Sequence, residues 1–514
     1  MSTSIRIIKN TGFLYIKMGI NVFISLYSTR LILSSLGASD FGVFNIVGGA
    51  ITMLGFLNST MANATQRFMS YAEGEDNLDK KKKVFNVSMI LHMIVAFITG
   101  LILFGAMFPL FDNVFNILPE RVLAAKVIYI SLIISTIFTI LNVPYDAVMN
   151  AHENMLFYSF IGVFEAILKL LVAFVCVFSS FDKLIVYGVL MAFIPFVTLS
   201  IMKIYCHRKY DECVLSFCKF WDSRLIKNIT FFSSWNFLTA ISSLISVYGG
   251  SLVLNHFFGT ILNAAQGIAN QINGQMSSFS LNLMKAVNPV IVKRAGAGDM
   301  IAMNKATLAG CKFSTLLLIL FAIPFVLEMP YILKIWLKQV PDWTVLFCCL
   351  QIIVSVICQT ASSAATAIYA QGNIKWYTIY KSIMNLVPII ITYISYTLGG
   401  GPYWLYVSMI IVWALGGNVV IVYYANKLCE MSVKSFFIEV ILPICIVCFV
   451  MLCGGLIIKL FIKEGGVRLV LCFLMTTLLF GLSIWKVVLS LEEKCILKNL
   501  LKNRVNFCVK KVKS

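Results

Sequence analysis

Among the ionisable side chains inside long apolar runs of this 514-residue sequence, six stand out: Arg30, Arg67, Lys169, Lys285, Asp146 and Glu165. A charge at such a position is costly unless it is paired or wetted, so each is a functional candidate. Guanidinium presents a planar donor fork that suits phosphate oxygens, and an ammonium acts as a point charge. Arg30 lies about two turns from the end of the first apolar run at a 1.5 Å rise per residue. It is the deepest unpaired cation and the first candidate for an anion contact. Arg67, beside Asn63 and Gln66, and Lys285 either reach the same anion or extend to the membrane surface. Glu165 precedes Lys169 by one helical turn, an order that favours mutual neutralisation. Asp146 suits a proton or sodium site, or is solvated at the end of its run. Asp146, Glu165 and Lys169 are thus the candidates for ion coupling.

Amides accompany these charges. Asn45, Gly49, Thr52, Ser59, Asn63, Gln66 and Ser70 recur at steps of three and four, as do Asn263, Gln266, Asn270, Asn273, Ser277 and Ser280. That spacing puts each set on one helical face. Lipid cannot satisfy an amide, so both faces must look inward. They act either as packing between helices or as the lining of a wetted cavity. Two stripes that run the length of their helices suit a cavity better.

The elements that must carry these residues are membrane helices. The sequence is 60% hydrophobic and 12% charged, with a mean hydropathy of +0.90. A soluble domain has about twice that share of charge. Apolar runs of about 20 residues, enough to span about 30 Å of hydrocarbon, occur about fourteen times. The formal net charge of +19 resides mainly in alternate loops, roughly three to one, with both termini on the basic, cytoplasmic side. This distribution suits anionic lipid rather than nucleic acid. The 15 cysteines are scattered through apolar runs and form no framework. Arg6 and Lys9 precede the first run without a cleavage-like site, so that run is expected to stay in the membrane. The segment from Leu491 to Ser514 is either a basic amphipathic helix or a disordered tail. Loops on the opposite side are shorter than about 15 residues, which leaves no room for a catalytic module.

The chain also repeats itself. VFISLYSTRLILSSLGASDFG from Val22 aligns with SLISVYGGSLVLNHFFG from Ser243 at an offset of about 221 residues. Tyr27 then falls on Tyr248, Asn45 on Gln266 and Thr52 on Asn273. Copies six helices apart share one orientation, which predicts two parallel-repeat six-helix bundles over 1–215 and 216–430. Two additional helices over 431–490 and a basic tail over 491–514 follow. The expected fold is therefore an all-α integral membrane protein of about 14 transmembrane helices.

No nucleotide-binding loop, zinc-protease motif or nucleophile elbow is present. With no catalytic set, metal site or cofactor motif, the expectation is a non-enzyme whose transport is driven by an ion or substrate gradient.

The passages TRLILSSLGASDFGVFNIVGGAITMLGFLNSTMANATQRFMSYAEGED and NAAQGIANQINGQMSSFSLNLMKAVNPVIVK resemble the bacterial polysaccharide flippases of O-antigen and lipopolysaccharide biosynthesis. These belong to a superfamily shared with multidrug-and-toxin antiporters and peptidoglycan-precursor flippases. The resemblance implies a V-shaped pair of bundles around a cationic cavity in the bacterial inner membrane. It implies flipping of undecaprenyl-diphosphate-linked oligosaccharide between leaflets by alternating access, with Arg30, Arg67 and Lys285 on suitable helices for the head group. Implied partners are that lipid-linked oligosaccharide, membrane lipids, H+ or Na+, and the glycan polymerase and glycosyltransferases of the same pathway. An ion-coupled multidrug antiporter is the alternative within transport. A membrane glycan polymerase or ligase and a non-transporting scaffold are the alternatives outside it.

Overall fold

A computed structural model describes residues 3–52, 55–114, 117–337, 340–489 and Lys494. The chain is all-helical, with no strand among the described residues. The first helices are α1 (Thr3–Thr52), α2 (Gly55–Gly74), α3 (Leu78–Pro109), α4 (Val122–Ala151), α5 (Met155–Phe178) and α6 (Lys183–Lys209). There follow α7 (Ser223–Phe258), α8 (Thr260–Gly296), α9 (Met300–Trp336), α10 (Thr344–Gln359), α11 (Ser362–Gln371) and α12 (Lys375–Thr397). The last three are α13 (Trp404–Cys429), α14 (Val433–Phe461) and α15 (Gly466–Val488).

Eleven of the described helices are long and apolar enough to cross a membrane, and a twelfth arises if α10 and α11, bent by 41°, are one span. The expected single helix over 343–370 is therefore broken near Thr360. Two further long helices, α8 and α2, fall outside this set. Their amide stripes lower the hydropathy. Together these agree with about fourteen spanning elements.

Local chemistry sets the ends. Asn77, Asn154, Asp182, Asp222 and Asp299 accept backbone N–H groups at the starts of α3, α5, α6, α7 and α9, satisfying donors the first turn leaves free. The polypeptide bends sharply inside α1 at Gly37 (φ 77°) and between α7 and α8 at Gly259 (φ 81°). Only glycine adopts this left-handed region without strain. These two glycines, the left-handed Asp76 and Gly298, and the caps Asn77 and Asp299 all pair at one offset of about 222 residues. The backbone repeat is therefore one residue longer than the side-chain alignment suggested. Asn45 corresponds to Gly267 and Asn63 to Lys285. Amides at adjacent positions on α8 let the alignment slip.

Among the first six helices α1 packs on α5, and α4 packs on α3 and α6; in the next set α7 packs on α12, and α8 on α9 and α10. The two sets meet chiefly through α2 against α7 and α8, and α1 against α8. The hairpin of α14 and α15 docks on α9. Arg468 donates from Nε (3.1 Å) and Nη2 (2.9 Å) to Glu328 Oε2, both side chains being buried. Lys459 Nζ donates to the Leu327 carbonyl.

Candidate functional site

The loops 75–77, 152–154, 210–222 and 297–299 lie at one end of the molecule, the basic end, where the two helix sets are joined. A Cβ at Gly74 would strike the Lys293 carbonyl oxygen, and a Cβ at Gly296 would strike the Tyr71 carbonyl oxygen. Gly74 and Gly296 are repeat-equivalent, and so are Tyr71 and Lys293, so each helix offers the other the same contact. Neither position tolerates a side chain without moving backbone.

Charges brace this contact. Glu73 of α2 accepts from Lys293 of α8 at 3.0 Å and from Lys81 of α3 at 2.9 Å. His152 Nδ1 lies 3.4 Å from Glu73 Oε1, and its Nε2 makes a short contact with Glu212. Each ring nitrogen of His152 thus faces a carboxylate. Its ring stacks on Tyr210 at 4.2 Å. Burial raises the Glu212 carboxyl, but the hydrogen bond and charge of His152 outweigh it and hold the group below the usual carboxylate range.

Arg67 sits about two helical turns deeper on α2 than Glu73 and Gly74. Its Nε and Nη2 donate to the carbonyls of Tyr369 (3.1 Å) and Ala370 (2.7 Å) at the end of α11. The guanidinium lies 4.5 Å from the Phe68 ring and 5.3 Å from the Phe232 ring. Arg67 thus joins the two sets in this conformation while also lining the cavity between them.

Above Arg67 a cavity of about 360 Å³ separates the sets. Ser59, Asn63 and Gln66 line it from α2, Asn236 from α7, and Asn288 and Thr366 from α8 and α11. Phe68–Phe232 and Tyr15 Oη donating to the Phe279 carbonyl (2.6 Å) mark further contacts near this level. Toward the opposite end, Phe23 and Tyr27 of α1 and Gln271 and Gln275 of α8 are exposed.

A charged cluster stands beside the cleft. Lys17 of α1 lies with Nζ 4.2 Å from the centre of the Tyr158 ring, and Lys285 of α8 approaches the same ring at 5.9 Å. Asp146, Glu165 and Lys169 are within electrostatic reach of Lys17, as is Lys285. Glu165 pairs with Lys169 at 2.6 Å, and Asn142 donates to Asp146 at 3.2 Å. The Lys17 chain crosses α5 at Gly162, where a Cβ would overlap its Cε. Lys17, Asn21, Ser25, Glu165 and Lys169 line a pocket of about 400 Å³. Lys17, Lys169, Asp146 and Glu165 of the first set and Lys285 of the second thus share one polar region.

The candidates read from sequence distribute unevenly. Asp146, Glu165, Lys169 and Lys285 converge, and Asn63, Gln66 and Arg67 share the cavity. Arg30 is exposed on α1, apart from all three described cavities. Gln266 is buried within the second set, and Asn273 accepts from Ser355 of α10 at 2.5 Å. The stripe of Gln266, Asn273 and Ser280 faces α9 and α10 as packing. The face of α8 turned to α1 instead carries Asn282, which donates to Met18, and Lys285. Asn263 and Asn270 are half-buried and line none of those cavities. The side chains of Asn45 and Thr52 lie outside the described residues. Lys17 escaped the sequence reading, although an ammonium within an apolar run is itself the signal.

No family model and no curated protein matches this sequence. Solved structures do. One, described as the "Outward-facing conformation of a multidrug resistance MATE family transporter of the MOP superfamily", superposes with a TM-score of 0.71 at 14% identity, covering 84% of this chain and 97% of that one. The chain has the MATE transporter fold. A MOP superfamily transporter from Pyrococcus furiosus, described as having reverse polarity of its binding pocket, gives 0.68 at 16% identity over the same shares. MATE in the bent conformation gives 0.70 at 15% identity, over 85% of this chain and 97% of that one. In this fold α2 and α8 meet closely at the basic end.

Proposed function

We propose that the protein is a multi-pass transporter of the bacterial inner membrane that moves a lipid-linked oligosaccharide between leaflets by alternating access, for surface polysaccharide assembly. The basic end is cytoplasmic, as the loop charges require. The first and second helix sets, 1–215 and 216–430, act as the two moving bodies, with 431–490 an accessory hairpin fixed to the second. The observation that carries the reading is the meeting of Lys17 and Lys285, one from each body, beside an amide-lined cleft. A diphosphate head group entering there gains two cations that separate when the bodies part, so binding is coupled to the conformational change. Arg67 acts as a latch, and Asn63, Gln66 and Asn288 offer amides to sugar hydroxyls.

A second reading, an ion-coupled multidrug antiporter, is favoured by Asp146 and Glu165 in the same cluster and fits the MATE neighbours at least as well. There the carboxylates would exchange H+ or Na+ against a cationic compound. The two readings divide on charge. Lys17→Gln removes attraction for an anionic head and relieves repulsion of a cation. Uptake assays in proteoliposomes with a labelled lipid-linked diphosphate oligosaccharide and with a cationic dye test them. Loss of the first flux in the variant supports the flippase; a gain in the second supports the antiporter.

A further inference from the structure

A second polar feature lies on the outer flank, away from the cleft between the helix sets. At the basic end α12 and α13 enclose a groove of about 660 Å³. Trp376 and Tyr380 form one wall, and Tyr423, Tyr424 and Lys427 the other, over an apolar floor that includes Val419. Trp376, Tyr380 and Tyr423 are 56%, 46% and 57% exposed, unusual for three large aromatics in one groove. They are nevertheless held in place. Tyr424 packs edge-on against Tyr423 (5.2 Å) and against the buried Tyr377 (6.0 Å), and Tyr380 lies 6.3 Å from Tyr424. Lys427 extends over the Tyr423 ring at 6.0 Å and Lys375 over Trp376 at 5.4 Å. No carboxylate lines the groove.

We propose that this groove binds an anionic phospholipid of the leaflet at the basic end. The inference rests on reading the chain as membrane-spanning and is independent of its cargo. Tyrosine and tryptophan belong at the depth of lipid head groups, where one edge is wet and the ring is not. A basic pocket between spanning helices at that depth fits a negatively charged head group. Lys375 and Lys427 flank the entrance and meet the phosphate. The Tyr380 and Tyr423 hydroxyls are placed to donate to it, and an acyl chain runs down the exposed Val419. A sugar suits the groove less well. Its hydroxyls need amides and carboxylates, and Asn373 is the only such side chain in the lining. The volume lies within the range of small-molecule sites.

Native mass spectrometry of the full-length protein, with phosphatidylglycerol and phosphatidylcholine of identical chains, tests this. The wild type retains phosphatidylglycerol preferentially. Each of Lys375→Gln and Lys427→Gln reduces the preference about fivefold, as expected for one lysine at an anionic surface, and the double variant abolishes it. Lys203→Gln with Arg208→Gln, exposed charges at the same end on α6, leaves it intact. A wild type that retains both lipids equally overturns the proposal. So does a preference unchanged in the Lys375/Lys427 double variant, or one lost equally in the α6 control. Retention of a soluble oligosaccharide in place of lipid, abolished by Trp376→Ala, also overturns it.

Discussion

Gly74 and Gly296, equivalent positions of an internal repeat, each lie against the backbone of the other's helix, at the Lys293 and Tyr71 carbonyls respectively. Both glycines close their helices, where glycine is common, and here the missing side chain permits backbone contact. Gly74→Ala or Gly296→Ala places a methyl group into a carbonyl and should cost about 1–3 kcal/mol of the closed state. The expected outcome is greater solvent access to the cavity from the basic end, read by hydrogen exchange on α2 and α8. Exchange unchanged in both variants would show that this contact does not hold the end shut.

Glu73 links three elements. Removing one partner of this part-buried ion pair leaves a polar group unsatisfied at a cost of about 1–3 kcal/mol, so Glu73→Gln should also loosen the same end. A double-mutant cycle of Glu73→Gln and Lys293→Gln isolates the pair; coupling of about 1–3 kcal/mol in thermal stability is expected. The pH dependence follows from Glu212. Its folded-state pKa is depressed, so its contribution is complete above the ordinary value of 4.5 and is lost as pH falls through the lower folded value. Stability attributable to Glu212 should therefore be flat above about pH 5, and Glu212→Gln should remove the loss seen on acidification.

The last hairpin is secured by Arg468 and Glu328. Arg468→Met leaves the buried Glu328 carboxylate without its donor and should destabilise by about 3–5 kcal/mol, whereas Arg468→Met with Glu328→Met should recover most of that loss. Thermal unfolding in detergent measures both. Recovery of transport in the double variant would establish that the pair fixes α14 and α15 to α9 and takes no part in moving cargo.

Much of this architecture is legible in the residues, for physical reasons. A bilayer demands long apolar runs, which mark nearly every span. On α2 the spacing groups Asn63 and Gln66 on one face, and both line the cavity between the sets. On α8 amides occupy adjacent positions such as Asn270 and Gln271. Spacing alone then cannot tell the face turned to α9 and α10 from the one bearing Asn282 and Lys285. Arg67 is recognisable as special, but not its role: its acceptors are carbonyls about 300 residues away, fixed by the end of α11. Lys17 becomes meaningful only when folding sets it against Tyr158 and opposite Lys285.

The central claim is that Lys17 and Lys285 receive an anionic head group from one leaflet and release it to the other. Its most direct test uses proteoliposomes containing a polyprenyl-diphosphate oligosaccharide with a fluorophore on the sugar, bleached by an impermeant reductant. With wild-type protein the bleached fraction should rise beyond the outer-leaflet share, and Lys17→Gln with Lys285→Gln should return it to that share while the protein stays folded. A wild-type fraction fixed at the outer-leaflet share, in vesicles that exchange a cationic dye for protons, would contradict the account.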